Sequence, residues 1–158
     1  MLEDAPALIQ KLTESNQTLS TVESWTGGLL FGYLTDVPGA SAVLERGFIT
    51  YSDQSKQEMV GVTANTLAAF GAVSQQTAEE MAKGGCQIAR TDLSISLTGI
   101  AGPSGGSAEK PVGLVWISAF RKGGIQQTER HLFTGDRQQI RMLACTHAIS
   151  LLLRLLSS

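Results

Sequence analysis

Cysteine and histidine are scarce, each occurring twice in 158 residues. Cys86 and Cys145 are far apart and neither belongs to a CxxC pair. A disulfide scaffold and a zinc knuckle therefore lack support, and reduced thiols fit the cytosol. His131 and His147 each stand alone. A basic stripe is also missing. The net charge is −2 and the pI about 5.6, so nucleic acid is not an expected partner. Long apolar runs are missing too. The most apolar stretch, ISLLLRLL, is interrupted by Arg154 and is too short to span a bilayer, so no membrane partner is expected. The N-terminal MLEDAPAL is acidic where a signal peptide would be basic, which makes the cytoplasm the expected location. With no repeat, low-complexity tract or long linker, residues 1–158 read as one domain.

What is present is a core. Hydrophobic residues make up 42% of the chain, enough to exclude disorder in a domain of this size. Residues 4–16 read as a helix, with Asp4 as N-cap, Pro6 in the first turn and Leu8, Ile9 and Leu12 on one side. TLSTVE (18–23) reads as a strand, GLLFGYL as an apolar helix closed by DVPGAS, and RGFITYS (46–52) as a second strand. Ser52 or Asp53 caps the next helix. Thr63 and Gly71 bracket a short one, and Ser74 caps a longer one over 75–90. DLSISLT (92–98) alternates, with Leu93, Ile95 and Leu97 facing one way and Ser94, Ser96 and Thr98 the other. VGLVWISAF and IQQTERHLF make a hairpin through RKGG. A long C-terminal helix follows, with Ile140, Leu143, Ala144, His147, Leu151 and Leu155 on its apolar stripe. Strands alternating with helices, plus one hairpin, predict a three-layer α/β/α sandwich around a five-stranded mixed sheet.

Four segments at strand ends or at a helix start carry candidate chemistry: ESWTGG, TYSDQSK, TGIAGPSGGSAEKP and TGDR. Ser24 in the first reads initially as an N-cap. As a nucleophile it would need a base, and no histidine is near in sequence. Lys56 is the alternative: a partly buried lysine can lose its proton near neutral pH, and Ser-Lys pairs are a known variant of triad chemistry. The plain reading of Lys56 is a solvated helix residue. GIAGPSGG is either a flexible turn or a set of backbone amides that cradle an anion. It is not a P-loop, because GxxxxGK[ST] is absent and Pro111 follows Lys110. Arg137 opens the last helix, where the dipole disfavours a cation, and this misfit points to an anionic ligand.

Taken together, ES-x-TGG (23–28), GFITYS…K (47–56), GAVS (71–74), TGIAGPSGGSAEKPVG (98–113) and F-TGDR (133–137) resemble the CinA C-terminal domain family, the nicotinamide-nucleotide amidohydrolases. The resemblance runs from the first helix to the last, as in the family's stand-alone form. It implies the same sandwich fold and hydrolysis of the amide of nicotinamide mononucleotide to nicotinate mononucleotide and ammonia, with no metal and no cofactor. By position it implies Ser24 as nucleophile and Lys56 as proton acceptor. Tyr51 and Thr98 would complete the proton network or hold substrate, and Arg137 is the arginine of the GDR motif. Backbone at Thr26, Gly27 and Gly28 would stabilise an oxyanion, and Gly102, Gly105 and Gly106 would contact the substrate. The expected partners are a small-molecule nucleotide and further copies of the chain. Trp25 departs from the pattern, standing where the family usually has cysteine. An indole there either stacks on the pyridine or fills its pocket. The alternative function is therefore a weak or inactive paralog that binds a nucleotide or a protein, and a third reading is an amidase for another substrate.

Overall fold

The computed structural model describes residues 2–158. Five strands, β1 (Leu19–Glu23), β2 (Leu44–Ile49), β3 (Leu93–Gly99), β4 (Leu114–Arg121) and β5 (Ile125–Leu132), form one sheet in the order β2-β1-β3-β4-β5. β1 runs parallel to β2 and β3, while β4 is antiparallel to both β3 and β5. Helices α1 (Ala5–Glu14), α2 (Leu29–Thr35) and α6 (Arg137–Leu156) cover one face, and α3 (Asp53–Val60), α4 (Ala64–Phe70) and α5 (Gln75–Ala89) the other. The sandwich is the expected one.

The two faces are packed by different means. Leu93, Ile95 and Leu97 of β3 join Leu8 and Leu12 of α1 and Ala144, Ala148 and Leu152 of α6 in the larger core cluster. Ser94, Ser96 and Thr98 face α5, and they are buried as well. Alternation of apolar and polar residues usually marks a half-solvated strand. Here the small residues let a helix lie close. Ser96 Oγ donates to Ala78 O at 2.5 Å. A Cβ on Gly85 would stand 2.4 Å from Val22 Cγ2, and one on Gly84 would stand 1.8 Å from Val60 O. Each glycine costs about 1 kcal/mol of helix propensity, offset by the close packing that only a bare Cα permits.

Caps follow the sequence closely. Ser52 caps α3 in a reciprocal pair with Ser55, Thr63 caps α4, Ser74 caps α5, and Asp136 caps α6 in a reciprocal pair with Gln139. Asp4 occupies the N-cap position of α1 but makes no capping hydrogen bond. The second strand starts at Leu44 and ends at Ile49, so Thr50 and Tyr51 lie beyond it. The stripe of α6 is rotated from the expected one. Cys145, Ala148, Ile149 and Leu152 are buried, whereas Leu143 and His147 are half-buried at its edge. By length and composition alone α6 resembles a membrane span, but its inner face forms the core. Both cysteines are unpaired and buried, and burial raises both thiol pKa values.

The register fixes where the loops collect. Glu23 pairs with Ile49 and Leu97, Gly99 with Val115, and Leu114 with Leu132. The chain therefore leaves β1, β2, β3 and β5 and enters β4 at one edge of the sheet. ESWTGG, TYSDQSK, TGIAGPSGG and TGDR all meet there. From β1 the chain steps outward to β2 and then back across to β3, the reversal at which open α/β sheets bind ligands.

Candidate active site

Ser24 is not a cap. Helix α2 begins at Leu29, and its first amides are taken by Glu23 at the end of β1. Leu30 N donates to Glu23 Oε1 and Phe31 N to Oε2, both at 3.0 Å. The Thr26 hydroxyl donates to Oε1 at 2.7 Å. A buried carboxylate thus does the work that the sequence assigns to serine, because the turn places Glu23 beneath the helix start. The turn is tight: Gly27 N donates to Ser24 O at 3.0 Å, and Gly27 and Gly28 adopt φ of 60° and 95°. Only glycine takes such angles without strain.

Freed from capping, the Ser24 hydroxyl has one hydrogen-bond partner among the described residues, the Lys56 amine, with Nζ 3.1 Å from Oγ. Lys56 sits one turn into α3 and is only 1% exposed, so it is not a solvated helix residue. It reaches inward because Thr50 is anchored to β1. Thr50 N donates to Glu23 O at 2.7 Å, and the Thr50 carbonyl accepts from Lys56 Nζ at 2.7 Å. Among the described residues no carboxylate pairs with this amine. Burial holds its pKa below the ordinary lysine value, opposed by Asp53 at the start of the same helix. Nζ donates to both Ser24 Oγ and Thr50 O.

Ser24 and Lys56 open into a cavity of roughly 330 Å³, also lined by Trp25, Tyr51, Ala72, Val73, Thr98, Ile100, Gly102, Gly105 and Arg137. The structure brings most of the expected residues together. Tyr51 stands at the rim, 68% exposed, and the lysine meets the serine directly, so no tyrosine relay lies between them. Thr98 is buried and donates to Ala72 O at 2.8 Å, fixing a wall of the cavity and making no bond to the Ser-Lys pair. Arg137 is exposed at the mouth, with Nη1 donating to Gly102 O at 3.0 Å. Thr26, Gly27 and Gly28 do not line this cavity. They line a neighbouring cleft with Tyr33, Asp36 and Arg141, whose Nη2 donates to Thr26 O at 3.1 Å. Gly106 also lies outside. A Cβ there would stand 2.7 Å from Val112 N, so its bareness serves loop packing.

The family model described as CinA C-terminal domain matches residues 3–156. The chain belongs to the CinA C-terminal domain family. Its similarity to the nicotinamide-nucleotide amidohydrolase PncC of Escherichia coli (strain K12) is 46% identity, covering 90% of this chain and 87% of that protein. A Clostridium novyi protein named as competence-damage inducible is 48% identical, and this chain spans 34% of its length. Among solved structures, competence/damage inducible protein CihA from Agrobacterium tumefaciens superposes with a TM-score of 0.95 at 42% identity. The match covers 99% of this chain and 94% of that one. A CinA superfamily protein from Escherichia coli superposes with a TM-score of 0.93 at 36% identity, covering 98% and 89%.

Trp25, the residue that departs from the CinA motif, is 7% exposed and has two neighbourhoods. It touches the cavity, and it also belongs to the larger core cluster. A Cβ on Gly99 would stand 2.6 Å from the indole Nε1, so the ring lies across bare backbone at the end of β3. Its N–H has no hydrogen-bond partner among the described residues. The ring packs behind the turn and leaves Ser24 open to the cavity. Trp25→Cys is expected to lower unfolding free energy by about 3 kcal/mol through the void it creates, read by urea denaturation. A loss under about 1 kcal/mol would place the ring outside the core.

Proposed function

We propose that residues 1–158 act as one amidohydrolase domain that converts nicotinamide mononucleotide to nicotinate mononucleotide and ammonia, with Ser24 as nucleophile and Lys56 as general base. The observation that carries this reading is the buried Lys56 Nζ, 3.1 Å from an otherwise unpartnered Ser24 Oγ in a cavity with an arginine at its mouth. The PncC relatives support the substrate. Neutral Lys56 takes the Ser24 proton as Oγ bonds to the carboxamide carbon. The tetrahedral intermediate collapses, the C–N bond breaks, and Lys56 returns the proton to the departing ammonia. Water then attacks the acyl ester with Lys56 again as base, which releases the carboxylate and restores Ser24. An oxyanion would need backbone N–H donors beside Ser24, and Thr26, Gly27 and Gly28 line the neighbouring cleft instead. Each such donor is worth roughly 3 to 4 kcal/mol in the transition state.

Purified protein incubated with the mononucleotide is expected to release ammonia and nicotinate mononucleotide in equal amounts. Binding without release would leave the chain a non-catalytic nucleotide binder. Arg137 is assigned to the phosphate. It is exposed at the mouth, and one nitrogen is already aligned by Gly102 O. Arg137→Ala is expected to weaken binding of the mononucleotide about tenfold to a hundredfold, the value of a charge-assisted hydrogen bond of roughly 1.5 to 3 kcal/mol. Binding of the riboside, which lacks the phosphate, is expected to change little. Equal losses for both ligands in a calorimetric titration would place Arg137 away from the phosphate.

A further inference from the structure

The cavity has two walls that come from distant parts of the chain, and a single side chain ties them together. One wall is Ala72 and Val73, just past α4. Its backbone is held by successive carbonyls that each find a side-chain donor. Gly71 O accepts from the Ser74 hydroxyl at 2.9 Å and the Thr77 hydroxyl at 2.7 Å, and Ala72 O accepts from Thr98. The other wall, Gly102, Ser104 and Gly105, belongs to the glycine-rich loop, which is exposed from Pro103 to Glu109. The loop closes on itself at its far end, where Ser107 N donates to Lys110 O and Lys110 N to Ser107 Oγ. From that closed turn Lys110 Nζ crosses to Phe70 O, 2.6 Å away. Among the described residues it is the one side chain of 103–110 that hydrogen-bonds to another element. Phe70 ends α4, where backbone carbonyls lack helical partners and the helix dipole favours a cation. Gly71 leaves room for the ammonium, because a Cβ there would stand 2.8 Å from Nζ.

We propose that Lys110 is a positioning residue that straps the glycine-rich loop to the end of α4 and so sets the width of the Ser24 cavity for its substrate. The strap touches neither Ser24 nor Lys56. Its loss widens the cavity and leaves the reacting pair in place. Only the kinetic part of the test rests on the amidohydrolase reading.

The experiment compares Lys110→Met, Lys110→Gln and Lys110→Arg by amide hydrogen exchange and by steady-state hydrolysis of nicotinamide mononucleotide. In the Met and Gln variants, exchange over 103–109 is expected to quicken about tenfold, while the strands keep their protection. KM is expected to rise about tenfold with kcat within about threefold, the loss of one charge-assisted bond. Arginine still reaches a carbonyl and is expected to restore most of both. Unchanged exchange in both Met and Gln overturns the proposal, as does a fall in kcat with KM unchanged or an Arg variant as impaired as Met. If the unaltered protein releases no ammonia, the amidohydrolase reading fails by itself, and exchange over 103–109 alone decides the strap.

Discussion

Replacing Ser24 with alanine is expected to abolish amide hydrolysis, lowering kcat by at least about 10⁴-fold, while the mononucleotide still binds and the fold persists. The size follows from removal of the attacking atom in a reaction whose other parts act only through it. The small structural effect follows from geometry. Ser24 caps nothing: the amides of α2 are held by Glu23, and the turn is closed by backbone and glycine. A capping serine would cost about 1 kcal/mol on removal and leave the specific activity intact. The two roles thus give opposite patterns in one pair of measurements, thermal unfolding and ammonia release. A variant that melts early yet hydrolyses normally would end the nucleophile assignment. Ser24→Ala also removes the partner of a buried amine, so a modest gain or loss in stability is compatible with the mechanism, whereas retained turnover is not.

The contrast between Ser24 and Glu23 shows what the sequence could and could not reveal. Capping motifs are local, and Thr63, Ser74 and, with Asp53 as the alternative, Ser52 were legible from the residues that follow them. Glu23 caps a helix that starts six residues later, across a turn with two left-handed glycines, and no linear spacing announces that. Periodicity and capping signals together placed the five strands and six α-helices, but they could not show that the serine face of β3 is buried. That depends on Gly85, whose bare Cα lets α5 lie against Val22 and Ser94 of the sheet. At the site, chain order put Thr26, Gly27 and Gly28 beside Ser24. The turn directs them into the neighbouring cleft, because adjacent residues in a tight turn diverge. Lys56 was legible as a candidate base from its place in TYSDQSK and from the family motif, but not as a buried side chain. Its burial comes from tertiary structure, with Thr50 tied to β1 and α3 folded back over the strand ends.

Substituting Lys56 is expected to lower turnover by about 10²- to 10⁴-fold, the usual contribution of a general base, with no rescue by arginine. Arginine keeps a positive charge and a reach similar to that of lysine, but it has no lone pair to accept the serine proton. In the unaltered protein, kcat/KM is expected to rise with pH through the lowered pKa of Lys56 and to level off above it, because the neutral amine is the active form. Stability carries a matching sign. The folded state holds the Lys56 proton less firmly than the unfolded chain, whose lysine titrates near the ordinary 10.5. Between the lowered value and 10.5 the unfolded state binds more protons, so this residue makes stability rise with pH across that window. Below the window the buried ammonium is a standing cost, and Lys56→Met is expected to remove that pH dependence along with the activity. Denaturant melts of the two proteins across the window measure the linkage, and ammonia release measures the base. Near-normal turnover in Lys56→Arg would eliminate Lys56 as the proton acceptor. Parallel pH profiles of stability in the unaltered and Met proteins would mean that the amine carries no depressed pKa, and the activation of Ser24 would then need another source.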